Sequence, residues 1–374
     1  MLSFTFATAG RIVFGPGSRS ELSAAVAALG SRPLICTGSD PSRHGELLHD
    51  VPDAALFGVR GEPTMDVVRA GAAAAQAHGA DVVVGLGGGA VLDAAKVIAA
   101  LITNGGDPLD YAEVIGAGLP LSVRSLPVIA VPTTAGTGSE VTANGVVTSQ
   151  EHRVKVSLRS ASMLPAVAIV DPELTVACPP SVTAHAGLDA LIQCIEPFVS
   201  PMANPLTDGF CREGIRRAAS GLRRAYTSPR DLEARTDVSL CALLSGLALA
   251  NGKLGAAHGL AGPLGGYLDA PHGALTAAVM AAVCEFNLSF GDARTVDRYA
   301  EVSELLTGRH DGAAVSEWFT AATEELGVPG LADLGLDDEG VQRVADAAAK
   351  ASSTKGNPVP IAASDLAGIL RDSL

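Results

Sequence analysis

The sequence predicts an α/β domain with a parallel sheet followed by an all-helical domain, and three observations carry that expectation. Up to about residue 178, short apolar runs alternate with Ala-rich helical stretches. Beyond Ser181, helical periodicity continues with almost no strand signal. Two glycine-rich turns sit where apolar runs end, as ligand turns do at the carboxyl ends of parallel strands.

In order along the chain, Pro33–Thr37 reads as a buried strand, 64–78 as a helix and 81–86 as a second strand. Residues 91–102 read as a helix, and 126–131 as a strand that stops at Pro132. Continuous β-branched runs between helices mark strands covered on both faces. In the second half, helical spacing covers 182–199, 206–225, 231–250, 275–287, 295–307, 313–326 and 338–351. The expected division is therefore an α/β domain over 1–178 and an all-helical domain over 179–374.

Composition narrows the function classes. The 374 residues are 48% hydrophobic, enough for a large core, and 40 acidic against 26 basic residues give a formal net charge of -14. A phosphate-backbone binder needs a basic surface, so no nucleic-acid partner is expected. The six cysteines lie far apart without a CxxC pair, the usage of a reduced, cytoplasmic protein. No secretory leader and no uninterrupted apolar span are read, so no membrane partner is expected either.

The segment Gly85-Leu-Gly-Gly-Gly-Ala-Val-Leu-Asp-Ala-Ala-Lys96 leaves a strand and opens a helix. Gly87, Gly88 and Gly89 let the backbone approach a ligand, and the following helix start offers free N–H groups to a phosphate. A tight strand-to-helix turn without a ligand is the other reading, since neither a G-x-G-x-x-G nor a Walker A pattern is present. The second turn, Val131-Pro-Thr-Thr-Ala-Gly-Thr-Gly-Ser-Glu140, gathers Thr133, Thr134, Thr137 and Ser139, hydroxyls suited to nucleotide sugar and phosphate. It too reads alternatively as a plain polar loop. Two such turns after parallel strands favour a shared ligand crevice.

In the helical half, Asp189 stands in an otherwise apolar helix, where a bare carboxylate is costly unless paired or bound to a cation. His185, Asp189 and Gln193 are spaced i, i+4, i+8 and share a face of a continuous helix. Further on, Gly255-Ala-Ala-His-Gly-Leu-Ala-Gly-Pro-Leu-Gly-Gly266 and Ala270-Pro-His-Gly273 place His258 and His272 in small-residue, turn-rich surroundings. A capping role suits either histidine alone. One Asp and two His together point to a divalent-metal site.

These residues also carry a resemblance. Gly87-Gly-Gly-Ala-Val-Leu-Asp-Ala-Ala-Lys96, Pro132-Thr-Thr-Ala-Gly-Thr-Gly-Ser-Glu140, Gly187-Leu-Asp-Ala-Leu, His258-Gly and Pro271-His-Gly273 make the chain resemble the iron-containing (group III) alcohol dehydrogenase family over nearly its whole length. The resemblance implies that family's fold, which dehydroquinate synthase shares, and NAD(P)-dependent hydride transfer between a small alcohol and its aldehyde or ketone. Its implied cofactors are NAD or NADP and a divalent iron or zinc ion that polarises the substrate oxygen. It implies Gly38, Gly87, Gly88, Gly89, Asp93, Thr133, Thr134, Thr137, Ser139, Lys155 and Leu174 as cofactor-binding residues. It implies Asp189, Gln193, His258 and His272 as metal ligands, with His258 and His272 also catalytic, and a homodimer.

Three departures from the family pattern matter. Gln193 stands where relatives carry a fourth ligand histidine, which leaves open a weaker metal, help from His185, or no metal, as in the maleylacetate reductases. Gly38 stands where NAD-using relatives carry an Asp, and Arg43 follows, so NADPH is expected to be accepted. Gly262 stands where many relatives carry a second site histidine; His152 and Tyr267 are weak substitutes. A dehydroquinate-synthase-like lyase would need a basic pocket, yet residues 181–290 show only scattered Arg212, Arg216, Arg217, Arg223, Arg224 and Lys253. A non-catalytic nucleotide-binding protein is a third class. Gly145, Val147, Leu188, Ile192, Leu254 and Tyr267 are the expected pocket lining, uncharged and so suited to a small neutral substrate.

Overall fold

The computed structural model describes residues 3–152 and 154–374. The chain forms two compact units, one of Ala7–Thr134 with Gly138–Thr175, the other of Val176–Leu374 with the N-terminal stretch ending at Phe6 and the short insertion Ala135–Thr137.

The α/β unit runs β1 (Arg11–Phe14), α1 (Leu22–Leu29), β2 (Pro33–Thr37), α2 (Gly45–His49), β3 (Ala55–Gly58), α3 (Met65–His78), β4 (Val82–Gly87), α4 (Gly89–Asn104), α5 (Pro108–Tyr111), β5 (Val128–Pro132), β6 (Asn144–Ser149), β7 (Val154–Arg159) and β8 (Val167–Val170). Six strands make a parallel sheet in the order β1-β8-β5-β4-β2-β3, and β6 pairs with β7 as a separate antiparallel ribbon. Alternate residues of β2 and β4 enter opposite cores. Leu34, Cys36 and Val83 pack with α3 and α4, while Ile35, Val82, Val84 and Leu86 pack with α1. Burial on both faces is why these strands read as unbroken apolar runs.

The sheet's outer strands were invisible to that signal. In β3 the burial alternates between half-buried and exposed, and β1 has no fully buried residue. The β6–β7 ribbon is half polar, with Thr148 opposite Lys155. Local punctuation sets the helices that were expected. Thr64 Oγ1 accepts from Val67 N at 3.2 Å to start α3, and Gly79 ends it with φ +68°.

The helical unit contains α6 (Pro180–Val199), α7 (Pro205–Thr227), α8 (Leu232–Gly252), α9 (Ala256–Tyr267), α10 (His272–Phe290), α11 (Ala293–Thr307), α12 (Ala313–Glu325), α13 (Asp338–Ala348) and α14 (Ala363–Asp372). Its centre is α6, buried without interruption from Gly187 to Val199. A helix enclosed on every side needs no amphipathic stripe, and its few polar groups must be answered from within. Among the described helices, α10 alone is long and apolar enough to cross a membrane by composition, and it packs in this core with 61% of that window buried.

One expectation is corrected here. The glycine- and proline-rich stretch around His258 is not a turn but α9, with Pro263 inside it. Ala256, Ala257, Leu260, Ala261 and Leu264 are all fully buried, and that packing outweighs the poor helix propensity of the glycines.

Candidate functional site

In the α/β unit, the glycine turn joins β4 to α4 and the second turn follows β5. The two strands pair side by side, with Gly87 opposite Pro132, and Thr133 N donates to Gly87 O at 2.9 Å. A Cβ on Gly88 would lie 3.3 Å from Thr134 Oγ1, so the two turns lie against each other. Gly88 is the N-cap of α4 with no side-chain cap, leaving the helix's first N–H groups to a ligand.

Asp93 has a more particular place than expected. Its Oδ1 accepts from Ser139 Oγ at 2.5 Å, its Oδ2 accepts from Val146 N at 3.0 Å, and Lys96 Nζ lies 3.4 Å away. Both oxygens are thus engaged in tying α4 to the second turn and to β6. Lys96 is buried and donates to Ser139 O and Thr142 Oγ1, and burial pulls its pKa down. Glu140, buried next in sequence to Ser139, is pushed up to about 7 by burial.

The other predicted cofactor residues are dispersed. Gly38 directly follows β2, with open space around its missing Cβ. Lys155 in β7 forms an ion pair with Glu62 at 3.2 Å, and Leu174 is half-buried against the α1 side of the sheet. Thr137 belongs, with Ala135 and Gly136, to the helical unit. Arg43 is exposed and sits 3.6 Å from Asp40.

In the helical unit, α6, α9 and α10 bring three side chains to one point. One ligand atom each from Asp189, His258 and His272 lies within 4.8 Å of the others. Asp189 is buried on α6, His258 is buried two residues into α9, and half-buried His272 is the first residue of α10. The close approach depends on Gly273. A Cβ there would stand 2.1 Å from His185 O and 3.1 Å from Asp189 Cβ. The Pro271-His-Gly sequence therefore starts a helix where only glycine permits contact with α6.

His258 is held by a carboxylate that the sequence reading did not single out. Its Nδ1 is 2.6 Å from Glu196 Oε2, and Glu196 Oε1 accepts from Ala257 N at 2.7 Å. Glu196 lies seven residues after Asp189 on the same buried helix, and that spacing was the available signal. His258 Nε2 lies 3.3 Å from Asp189 Oδ1, buried and without a hydrogen-bond partner. An orphaned buried nitrogen facing a carboxylate and a second imidazole suits a cation.

The charges agree with that reading. Burial opposes a charge on His258, but Glu196 and Asp189 outweigh it and push the imidazole up to about 10. Burial likewise favours a neutral Asp189, and the neighbouring His258, His272 and Thr276 more than offset it, holding the carboxyl below its ordinary range. The group therefore concentrates negative charge that a proton or a cation must answer.

Gln193 lies beside the group as a donor in this structure. Its Nε2 donates to Asp189 Oδ2 at 2.7 Å, and its Oε1 accepts from Ser245 Oγ at 2.9 Å. His185 is half-buried one turn before Asp189 and is not in the three-residue group. Tyr267 donates to Asp337 on α13's N-terminal side, and His152 pairs with Ser149 after β6. Of the expected pocket lining, Val147 is fully buried in the α/β core, and Leu188 and Ile192 in the helical core, so these three are packing residues. The scattered arginines are committed to carboxylates: Arg217 to Asp237 at 2.8 Å, Arg224 to Asp231 at 2.9 Å, and Arg212 to Glu301.

A glycine-rich strand-to-helix turn in the α/β unit and an acid–imidazole group in the helical unit are features expected of a metal-assisted dehydrogenase. Comparison with known proteins agrees. The family model for iron-containing alcohol dehydrogenase matches residues 9–172, and that for the C-terminal part of the Fe-containing alcohol dehydrogenase family matches 183–374. The chain belongs to the iron-containing alcohol dehydrogenase family and is an oxidoreductase acting on alcohols.

It is 36% identical to the 4-hydroxybutyrate dehydrogenase of Cupriavidus necator, over 83% of this chain and 82% of that one. It is 35% identical to the 1,3-propanediol dehydrogenase of Klebsiella pneumoniae, over 86% and 83% of the two chains. The crystal structure of a 1,3-propanediol oxidoreductase superposes with a TM-score of 0.91 at 31% identity, covering all of both chains. An archaeal halo-thermophilic alcohol dehydrogenase from a Red Sea brine pool superposes with a TM-score of 0.92 at 26% identity, covering 100% and 99%.

Proposed function

We propose that the chain is a cytoplasmic NAD(P)-dependent alcohol dehydrogenase that interconverts a small neutral alcohol and its aldehyde or ketone at a divalent ion held by Asp189, His258 and His272. The observation that carries this reading is the convergence of those three ligand atoms within 4.8 Å, with His258 Nε2 buried and unpartnered. A divalent ion bound there supplies a Lewis acid that stabilises negative charge on the substrate oxygen. The nicotinamide cofactor supplies the hydride acceptor or donor.

The chain's own residues do the rest. Glu196 fixes His258 with Nδ1 protonated, so that Nε2 is the nitrogen presented to the site. Thr276 Oγ1, 3.1 Å from Asp189 Oδ1, helps to orient the carboxylate. Gly87, Gly88 and Gly89 expose backbone N–H groups to the cofactor pyrophosphate, with Thr133, Thr134 and Ser139 beside them. Asp93 positions Ser139 rather than touching a phosphate, since both its oxygens already accept hydrogen bonds.

The neutral substrate class draws support from the relatives named for methanol and 1,3-propanediol. Space around Gly262, where no atom lies within 4 Å of an added Cβ, supports a site without a second histidine there. Open space at Gly38 supports acceptance of NADPH, because no carboxylate at that position repels a 2′-phosphate.

Metal content tests the reading directly. Protein prepared without oxygen or chelator is expected to hold close to one iron or zinc per chain, and Asp189→Asn to lose at least nine-tenths of it together with alcohol-dependent NAD(P) reduction. Wild-type protein that stays metal-free after reconstitution yet reduces aldehydes would overturn it, and would leave His258 or His272 as the proton donor.

A further inference from the structure

Ser245 has one hydroxyl proton and two acceptors for it. Its Oγ lies 2.9 Å from Gln193 Oε1 and 2.8 Å from Ala242 O, three residues back on α8. A hydroxyl donates once but accepts as well. Two arrangements of the pair are therefore possible, related by a half-turn of the Gln193 carboxamide that exchanges its oxygen and nitrogen and leaves every other heavy atom in place. In one, Ser245 donates to Gln193 Oε1, and Gln193 Nε2 donates to Asp189 Oδ2 at 2.7 Å. In the other, Ser245 donates to Ala242 O and accepts from the Gln193 amide nitrogen, which leaves the amide oxygen turned to Asp189.

The neighbouring charge decides between them. With Asp189 ionised and no cation beside it, an amide oxygen 2.7 Å from a carboxylate oxygen is repelled, and the donor arrangement holds. With a divalent cation on Asp189, an N–H pointed at the site is repelled, and an amide oxygen becomes a ligand atom. All three groups are at least 96% buried, so no water takes up the unmatched dipole in either state.

We propose that Ser245 is a positioning residue for a reversible side-chain amide: Gln193 donates to Asp189 in the metal-free protein and turns its oxygen to a bound divalent ion, with Ser245 changing from donor to acceptor. The inference rests on the metal reading above and concerns only how the residue in the fourth ligand position takes part. It also gives physical sense to Gln at a position where a ligand is expected. An imidazole could not offer a donor and an acceptor from the same point to the same neighbour without changing its protonation.

The test is a crystal structure of the zinc-loaded protein together with chelator-competition titrations of zinc for wild type, Ser245→Ala and Ser245→Thr. The expected structure has a terminal Gln193 atom within about 2.4 Å of zinc, a distance open to an amide oxygen and closed to an NH₂ group. Zinc binding is expected to weaken about tenfold in Ser245→Ala, the size of effect known for lost ligand-orienting partners, and to recover in Ser245→Thr, which keeps the hydroxyl. Zinc on Asp189, His258 and His272 with both Gln193 terminal atoms beyond 3.5 Å overturns the reversal while leaving the metal reading intact. Absence of zinc from the three-residue group overturns both.

Discussion

The two candidate site regions are built on opposite principles. The two turns of the α/β unit present backbone: glycines after β4, an uncapped helix start, and hydroxyls on the loop after β5. The donor group of the helical unit presents side chains, contributed by α6, α9 and α10 from positions 189, 258 and 272. A backbone site is written in consecutive residues and tolerates little added bulk. A side-chain site exists only once distant helices pack, so its geometry is owned by residues that never touch a ligand. Gly273 belongs to that second class although it is a glycine.

The sharpest way to break the comparison is a single methyl group at two glycines of the helical unit. A Cβ at Gly273 would meet the main-chain oxygen of His185 at 2.1 Å, whereas one at Gly262 meets nothing within 4 Å. Gly273→Ala is expected to cost about 1–3 kcal/mol of stability through overpacking and to abolish metal retention, because α10 must shift away from Asp189. Gly262→Ala is expected to be neutral or slightly stabilising, since it replaces a helical glycine. Thermal midpoints and metal content of the two variants decide the matter. A folded Gly273→Ala protein that keeps its metal would show that the α6–α10 contact does not set the site.

Legibility in the sequence follows the same division. The turns around Gly87–Gly89 and Thr133–Thr134 were found as motifs because their chemistry is local. Asp189 was found because a carboxylate in an apolar helix violates burial energetics, and His258 and His272 because they joined it. Glu196 was passed over, since a second acid on the same helix is conspicuous only once α9 lays Ala257 N and His258 Nδ1 against it. Ser245 carries no sequence signal at all; its role comes from a 2.9 Å contact between α8 and α6. The helix over 256–267 was missed because glycine and Pro263 lower local propensity, and only tertiary packing restores it.

A smaller effect is expected at the edge of the backbone site. Gly38 leaves room for a side chain, so Gly38→Asp should fold normally and place a carboxylate where the adenosine ribose of the cofactor is expected. The ratio of kcat/KM for NADPH to that for NADH is expected to fall at least tenfold, an added repulsion of about 1.4 kcal/mol. An unchanged ratio would mean that the end of β2 takes no part in cofactor choice.

The smallest expected effect probes what lies beneath the second turn. Burial pushes Glu140 from an ordinary value of 4.5 up to about 7. Between those values the folded chain keeps a proton that the unfolded chain has released. The group's contribution to stability is thus full below about pH 4.5 and is lost as pH rises to about 7. Glu140→Gln keeps the shape and removes the titration, so wild type and variant should melt together near pH 5, and the variant a few degrees higher at pH 8. Lys96, buried nearby and itself pulled toward neutrality by burial, sets the opposing case. A variant that melts lower at pH 8 would show that ionised Glu140 serves as the counter-charge to Lys96, and that charge pairing rather than a neutral acid supports the loop bearing Ser139.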